Sequence, residues 1–325
     1  MTGLQDYDVI YQNKINGIIN NNSDLQGYYY FMSSSSSLST IYSYLTYVKK
    51  FIDVTGKPVE LLNGNDFINY IAKFNAISNN GKRYSSSYKI DIYQALKSFE
   101  NYLVATFKIQ NSIMNTIKRP KNIESQETIV KRENGYLNEK EVNIYLNTIQ
   151  KLADPNWLER DMSIILIFIN TGIRASALYK LDIKDIDFYE KSLIVTDKEQ
   201  KVYKKMLSDN TLSWINQWIK RREELLDGRE LDALFISNRK TRISSHAISN
   251  IVIKYSCDIH GKKITPHKLR ATYGTYIYKK TRDIYFTQQC MNHSNPETTA
   301  LYIRGEKNNM EEKSRQLINN LFLSN

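Results

Sequence analysis

Cysteine is nearly absent: Cys257 and Cys290 are the only two in 325 residues. That is too few, and too scattered, for a disulfide framework or a thiolate metal site. No charged-then-apolar segment opens the chain, and no apolar run approaches the roughly 18 residues needed to cross a bilayer. A soluble protein in an intracellular, cytoplasmic setting is the expectation. Acidic residues form no dense cluster that would gather divalent cations. Negative charge is also in deficit, with 34 Asp plus Glu against 45 Lys plus Arg and a formal net charge of +11. A polyanionic partner such as nucleic acid fits that balance. The basic residues cluster at Lys118-Arg119-Pro120-Lys121, Lys220-Arg221-Arg222, Arg239-Lys240-Thr241-Arg242 and Lys279-Lys280-Thr281-Arg282. Each cluster alone fits a solvated helix end as well as a phosphate contact. With 24 tyrosines present, the placing of any one of them carries little weight by itself.

Apolar spacing divides the chain. Residues 1–37 carry a weak helical pattern at Val9, Ile10, Ile15, Ile18 and Ile19, then a serine run at 33–37 that reads as a flexible connection, with Ser37 or Ser39 as a cap. They are taken as an N-terminal extension without an assigned role. Residues 38–120 form a small all-helical unit. Ile41, Tyr44, Leu45, Val48 and Phe51 or Ile52 recur every three to four positions. A second helix capped by Asn65 or Asp66 carries Phe67, Ile68 and Ile71, a third runs over 86–107, and a short fourth is expected at 113–117. Pro120 breaks the pattern, and residues 121–135 are polar and aperiodic, as a linker would be. A second domain, 136–325, opens with helices over 138–152 and 157–170, the latter stopped by Gly172. Alternating stretches at 186–188, 193–196 and 202–207 predict a three-stranded antiparallel sheet. Helices follow at 211–226, 245–257, 266–279, 285–291, 297–302 and 310–323. The fold class is therefore mainly α with a small antiparallel sheet.

Three segments carry chemistry. In Thr265-Pro266-His267-Lys268-Leu269-Arg270, Thr265 suits the N-cap and Pro266 the first helical position. His267 and Arg270 then share one face of the first turn, beside free N–H groups, and can converge on an anion. A structural histidine near a surface arginine would leave the same trace. In Thr171-Gly172-Ile173-Arg174-Ala175-Ser176 an arginine follows a helix and its glycine cap. His293 stands in a turn nine positions before Tyr302, at the end of a short helix. Guanidinium groups pair with phosphate oxygens in fork geometry, imidazoles move protons, and a phenol can attack a phosphodiester.

These residues resemble the tyrosine recombinase/integrase family, whose members carry T-G-x-R-x-S, H-x-L-R, a later His or Trp, and a Tyr shortly after a T-T pair. Thr171 to Ser176, His267 to Arg270, His293, and Thr298-Thr299 before Tyr302 match in order and spacing. The resemblance implies a helical core-binding domain, a mixed catalytic domain, and site-specific cleavage and rejoining of DNA through a 3′-phosphotyrosyl intermediate. Tyr302 would be the nucleophile, with Arg174 and Arg270 stabilising the phosphorane charge. His267 would assist the phenol's proton transfer, and His293 would hold a non-bridging oxygen. A lysine between the second and third strands would protonate the leaving 5′-oxygen. Lys198 is the choice and Lys201 the alternative, because Asp197 and Glu199 replace the usual flanking glycines. Ala177, Ala271 and Met291-Asn292 also depart from the family pattern.

Neither metal nor nucleotide has a role in this chemistry, so no cofactor is expected. The expected partner is double-stranded DNA with a specific core site. The chain would be a monomer in free solution and a homotetramer on two sites, its C-terminal helix docking through Met310, Leu317, Ile318, Leu321 and Phe322 into a neighbouring protomer. A bacterial or phage-derived protein at the nucleoid is implied. A type IB topoisomerase-like or hairpin-forming enzyme and a silent DNA-binding protein are the alternatives.

Overall fold

The computed structural model describes residues 2–74, 84–121, 135–197, 201–257, 259 and 262–292. The chain separates into two compact units, Met1–Ser125 and Gln126–Asn325.

The first unit is helical: α1 (Thr2–Ile19), α2 (Ser23–Ser33), α3 (Leu38–Thr55), α4 (Gly64–Lys73) and α5 (Ser86–Ala105). Residues before 38 are built into it. Ile15, Leu25, Tyr28 and Met32 share one core with Ile41, Leu45, Phe51, Phe67 and Phe99. The serine run is correspondingly short of loop, since Ser33 ends α2 and the Ser37 hydroxyl caps α3 at Thr40 N, 3.4 Å. In α1 Ile15 is buried and Ile18 and Ile19 pack beside it, whereas Val9 and Ile10 of the expected pattern are about half exposed. Asn63, rather than Asn65 or Asp66, caps α4, and Asp66 closes a reciprocal capping box.

The helix expected at 113–117 is a turn. Buried Glu100 ties it to α5, accepting from Ser112 Oγ at 2.6 Å, Ile113 N at 2.5 Å and Met114 N at 2.7 Å. The Tyr93 hydroxyl donates to the carbonyls of Met114 and Ile117 at 3.2 and 2.9 Å. The segment itself closes in i→i+3 turns, Thr116 N donating to the Ile113 carbonyl at 3.0 Å and Ile117 N to the Met114 carbonyl at 3.3 Å, while these side chains satisfy groups that a short helix would leave unpaired.

The second unit contains α6 (Glu139–Leu152), α7 (Leu158–Thr171), α8 (Ala175–Leu178), β1 (Ile186–Asp187), β2 (Ser192–Thr196), β3 (Val202–Met206), α9 (Asp209–Leu226), α10 (Ser245–Lys254), α11 (Pro266–Thr281) and α12 (Ile284–Met291). The short α8 had no counterpart in the sequence reading. The strands form an antiparallel sheet in the order β1-β2-β3, with Leu193 opposite both Ile186 and Lys205.

At the centre lies α7, whose run from Met162 to Phe168 is buried all round. Near its start two buried charged residues are paired: Arg160 Nε donates to Asp161 Oδ1 at 2.9 Å, and the Tyr255 hydroxyl donates to Asp161 Oδ2 at 2.5 Å. Trp218 of α9 closes the core, donating from Nε1 to the Leu234 carbonyl at 2.8 Å. The molecule is thus mainly helical with one small antiparallel sheet, and among the described residues no helix is long and apolar enough to cross a membrane.

Candidate active site

The site begins where α7 stops. Gly172 has φ 62°, the left-handed region that glycine enters without steric cost. A β-carbon there would also collide with the Tyr273 ring on α11. After this turn Arg174 takes the N-cap position of α8, its carbonyl accepting from Ala177 N at 2.9 Å and Leu178 N at 3.1 Å. Its side chain is 39% exposed, and Nη1 pairs with Oδ2 of Asp197. Asp197 follows β2, and its N–H donates to the Lys201 carbonyl at 3.0 Å, closing the turn into β3.

On α11 the Thr265 hydroxyl accepts from Lys268 N at 3.2 Å, with Pro266 in the first turn, as the sequence predicts. His267 remains open to solvent. Partial desolvation of its ring, and then the Arg270 charge, lower its pKa, which favours neutral imidazole at pH 7. Arg270 is 5% exposed. Its Nη1 donates to the Gly172 carbonyl and its Nη2 to the Met291 carbonyl at 2.5 Å. Two backbone carbonyls, one from the residue that caps α7 and one from the last residue of α12, therefore fix the plane of this guanidinium.

Arg174, Asp197 and Arg270 act on a common neighbour. The half-buried Tyr203 of β3 has its phenol pKa raised by burial and then by Asp197, while Arg270 and Arg174 pull it down. Lys205, two residues along β3, is buried and donates from Nζ to the Cys290 carbonyl. Desolvation lowers its pKa to about 8; Cys290 opposes that shift and Arg270 adds to it. Tyr273, half-buried on α11, is raised to about 12 by burial and by its hydrogen bond to Cys290, so it stays protonated.

The structure thus brings together Arg174 and Arg270, with His267 beside Arg270. Lys198, His293 and Tyr302 lie outside the described residues, as do the helices expected at 297–302 and 310–323 and nearly all of the linker at 121–135. Lys201 is described, and is exposed at the start of the third-strand segment.

Sequence reasoning missed the parts played by Asp197 and Lys205. The alternation along β3 carried the signal for Lys205, because it shares a face with Tyr203 and Leu207, the face that turns inward. The departures from the family pattern also find structural places. Ala177 and Met291 are each 1% exposed, within the core. Asn292 takes φ 50°, a left-handed cap that asparagine tolerates in place of glycine.

Residues 135–309 match the phage integrase family. A tyrosine recombinase XerC of Caldanaerobacter subterraneus subsp. tengcongensis is 30% identical over 266 residues, 80% of this chain and 71% of the relative. A XerC of Vibrio cholerae is 26% identical over 209 residues, 64% of each chain. Among solved structures, the XerH site-specific recombinase bound to difH substrate superposes with TM-score 0.66 at 21% identity, over 86% of this chain and 79% of that one. A lambda integrase (75–356) dimer bound to a COC′ core site gives 0.63 at 17%, over 86% and 94%. These two share the fold. The chain belongs to the phage integrase family and is a tyrosine-type site-specific DNA recombinase.

Proposed function

We propose that Tyr302 is the nucleophile of this recombinase and that Arg174, Arg270, His267, His293 and Lys198 complete its site. The Tyr302 oxygen attacks the scissile phosphorus and its proton passes toward His267. The P–O5′ bond breaks, and Lys198 gives the departing 5′-oxygen its proton. A 3′-phosphotyrosyl bond then stores the phosphodiester energy until a 5′-hydroxyl reverses the step. A phenol with an ordinary pKa of about 10 is mostly protonated at pH 7, so it needs the adjoining base and cations.

The observation that carries this reading is the bond from Arg270 to the Gly172 carbonyl, two residues before Arg174, which joins two cations distant in sequence at one turn. Tyr273, the nearest rival phenol, is held protonated with a pKa of about 12. Lys201 is the alternative proton donor.

In this reading residues 38–120 are the core-binding domain, now joined by α1 and α2, 121–135 the linker, and 136–325 the catalytic domain with its exchange helix. DNA with a specific core site is the substrate, met by a monomer that assembles as a tetramer on two sites, at the nucleoid of a cytoplasm.

A nicked suicide substrate tests the site. Tyr302→Phe binds DNA within severalfold of the parent but forms no covalent adduct, and Arg174→Ala or Arg270→Ala slows adduct formation by about a hundredfold or more. An adduct formed at normal yield by Tyr302→Phe refutes the assignment.

A further inference from the structure

Lys205 is an ammonium at an inward-facing position of a strand. It lies opposite fully buried Leu193 and is itself 8% exposed. Burying an ammonium there opposes folding, and an apolar side chain of similar length would fit the same face without that cost. Its Nζ reaches the Cys290 carbonyl and lies 5.2 Å from the centre of the Tyr203 ring. Arg270 meanwhile holds the next carbonyl, that of Met291, at 2.5 Å.

Cys290 and Met291 are the last two residues of α12, which spans only eight. A helix leaves its final carbonyls without partners and carries partial negative charge at that end. Two cations from two other elements, β3 and α11, therefore grip the same helix end. The chain then leaves α12 through left-handed Asn292 and continues directly to His293.

We propose that Lys205 is a positioning residue of the recombinase site, locking with Arg270 the C-terminal end of α12 from which the chain runs to His293 and Tyr302. This rests on the reading of His293 and Tyr302 given above. Lys205 need not touch DNA. Its charge holds the departure point of the segment carrying the nucleophile, and a small misplacement of reacting groups costs rate steeply. The groups facing it are Cys290 from α12, Arg270 from α11 and Tyr203 from its own strand. Arg270 repels it, so the helix end supplies the attraction that keeps both cations in place.

The test uses full-length protein, a half-site duplex for binding and a nicked suicide duplex for adduct formation. Lys205→Met should slow adduct formation by at least about tenfold, with half-site affinity within threefold and no fall in Tm. Lys205→Arg, which keeps the charge and the donor, should recover most of the rate. Lys205→Met cleaving at the parent rate overturns the proposal. So does Lys205→Arg as slow as Lys205→Met, since packing rather than the cation would then be at stake. A parent protein that forms no Tyr302-dependent adduct refutes the underlying site reading instead, and the two failures are told apart by that control.

Discussion

Replacing Gly172 by alanine should destabilise the catalytic unit and disable its arginines together. Two independent costs act at this position. An L-residue at φ 62° is in the left-handed region, at a cost of about 1 kcal/mol. The added methyl would also drive into the Tyr273 ring, and overpacking of this kind costs about 1–3 kcal/mol. Their sum, about 2–4 kcal/mol, should lower the unfolding temperature by roughly 5–15 °C for a domain of this size. Calorimetry or circular dichroism measures that shift.

The Gly172 carbonyl is also an anchor for Arg270, and Arg174 follows two residues later. Adduct formation should therefore fall more than the folded fraction does. Tyr273→Leu in the same chain removes the collision but leaves the backbone strain. The double variant should then be more stable than the sum of the single changes by about 1–2 kcal/mol. A Gly172→Ala protein that melts within a degree of the parent, or a double variant with no such coupling, would refute the reasoning.

Asp197→Asn removes the carboxylate that now pairs with Arg174, freeing that guanidinium for a phosphate and lifting repulsion of DNA. Because Arg174 is 39% exposed, the pair is worth only about 1 kcal/mol. Half-site affinity should rise about three- to tenfold, and a weaker affinity would mean that Asp197 orients Arg174 instead. Lys205→Met should raise stability at neutral pH. The folded-state pKa is depressed from 10.5 to about 8, so the folded state binds protons less readily and native lysine costs stability, up to ~3 kcal/mol, wherever it is charged below pH 8. That cost shrinks as pH rises from 8 toward 10.5, so the melting difference between variant and parent should narrow over this window; a constant difference contradicts it. Deleting residues 310–325 should spare half-site binding but weaken cooperative binding and recombination, which gel-shift titrations and a two-site plasmid assay report. Normal recombination by the truncated chain ends the helix-exchange reading.

The elements with strong local signals were legible before any coordinates. Thr265 and Pro266 mark the start of α11, and Gly172 the end of α7. Caps depend on neighbours within four residues, so the sequence contains the whole interaction. The motif residues Arg174, His267 and Arg270 were legible for a related reason, because spacing and residue type together constrain the chemistry. The N-terminal helices were harder to read, since Ile15, Leu25, Tyr28 and Met32 become core only against α3 and α5. At 113–117 the apolar spacing gave no sign that the segment is held by Glu100 and Tyr93 of α5, 14 and 21 residues before Met114.

The sequence by itself determined the ends of the helices that carry strong local caps, such as the start of α11 and the end of α7, and through the types of residue in its motifs it pointed to the cations proposed for the site. Tertiary structure alone decided that Arg174 meets Asp197, that Arg270 spans Gly172 and Met291, and that Lys205 turns inward to the end of α12. Those partners are separated by 21 to 98 residues along the chain. Their meeting depends on how α7, α11, α12 and the sheet pack around one core. Local propensity does not encode which backbone carbonyl a distant cation will find.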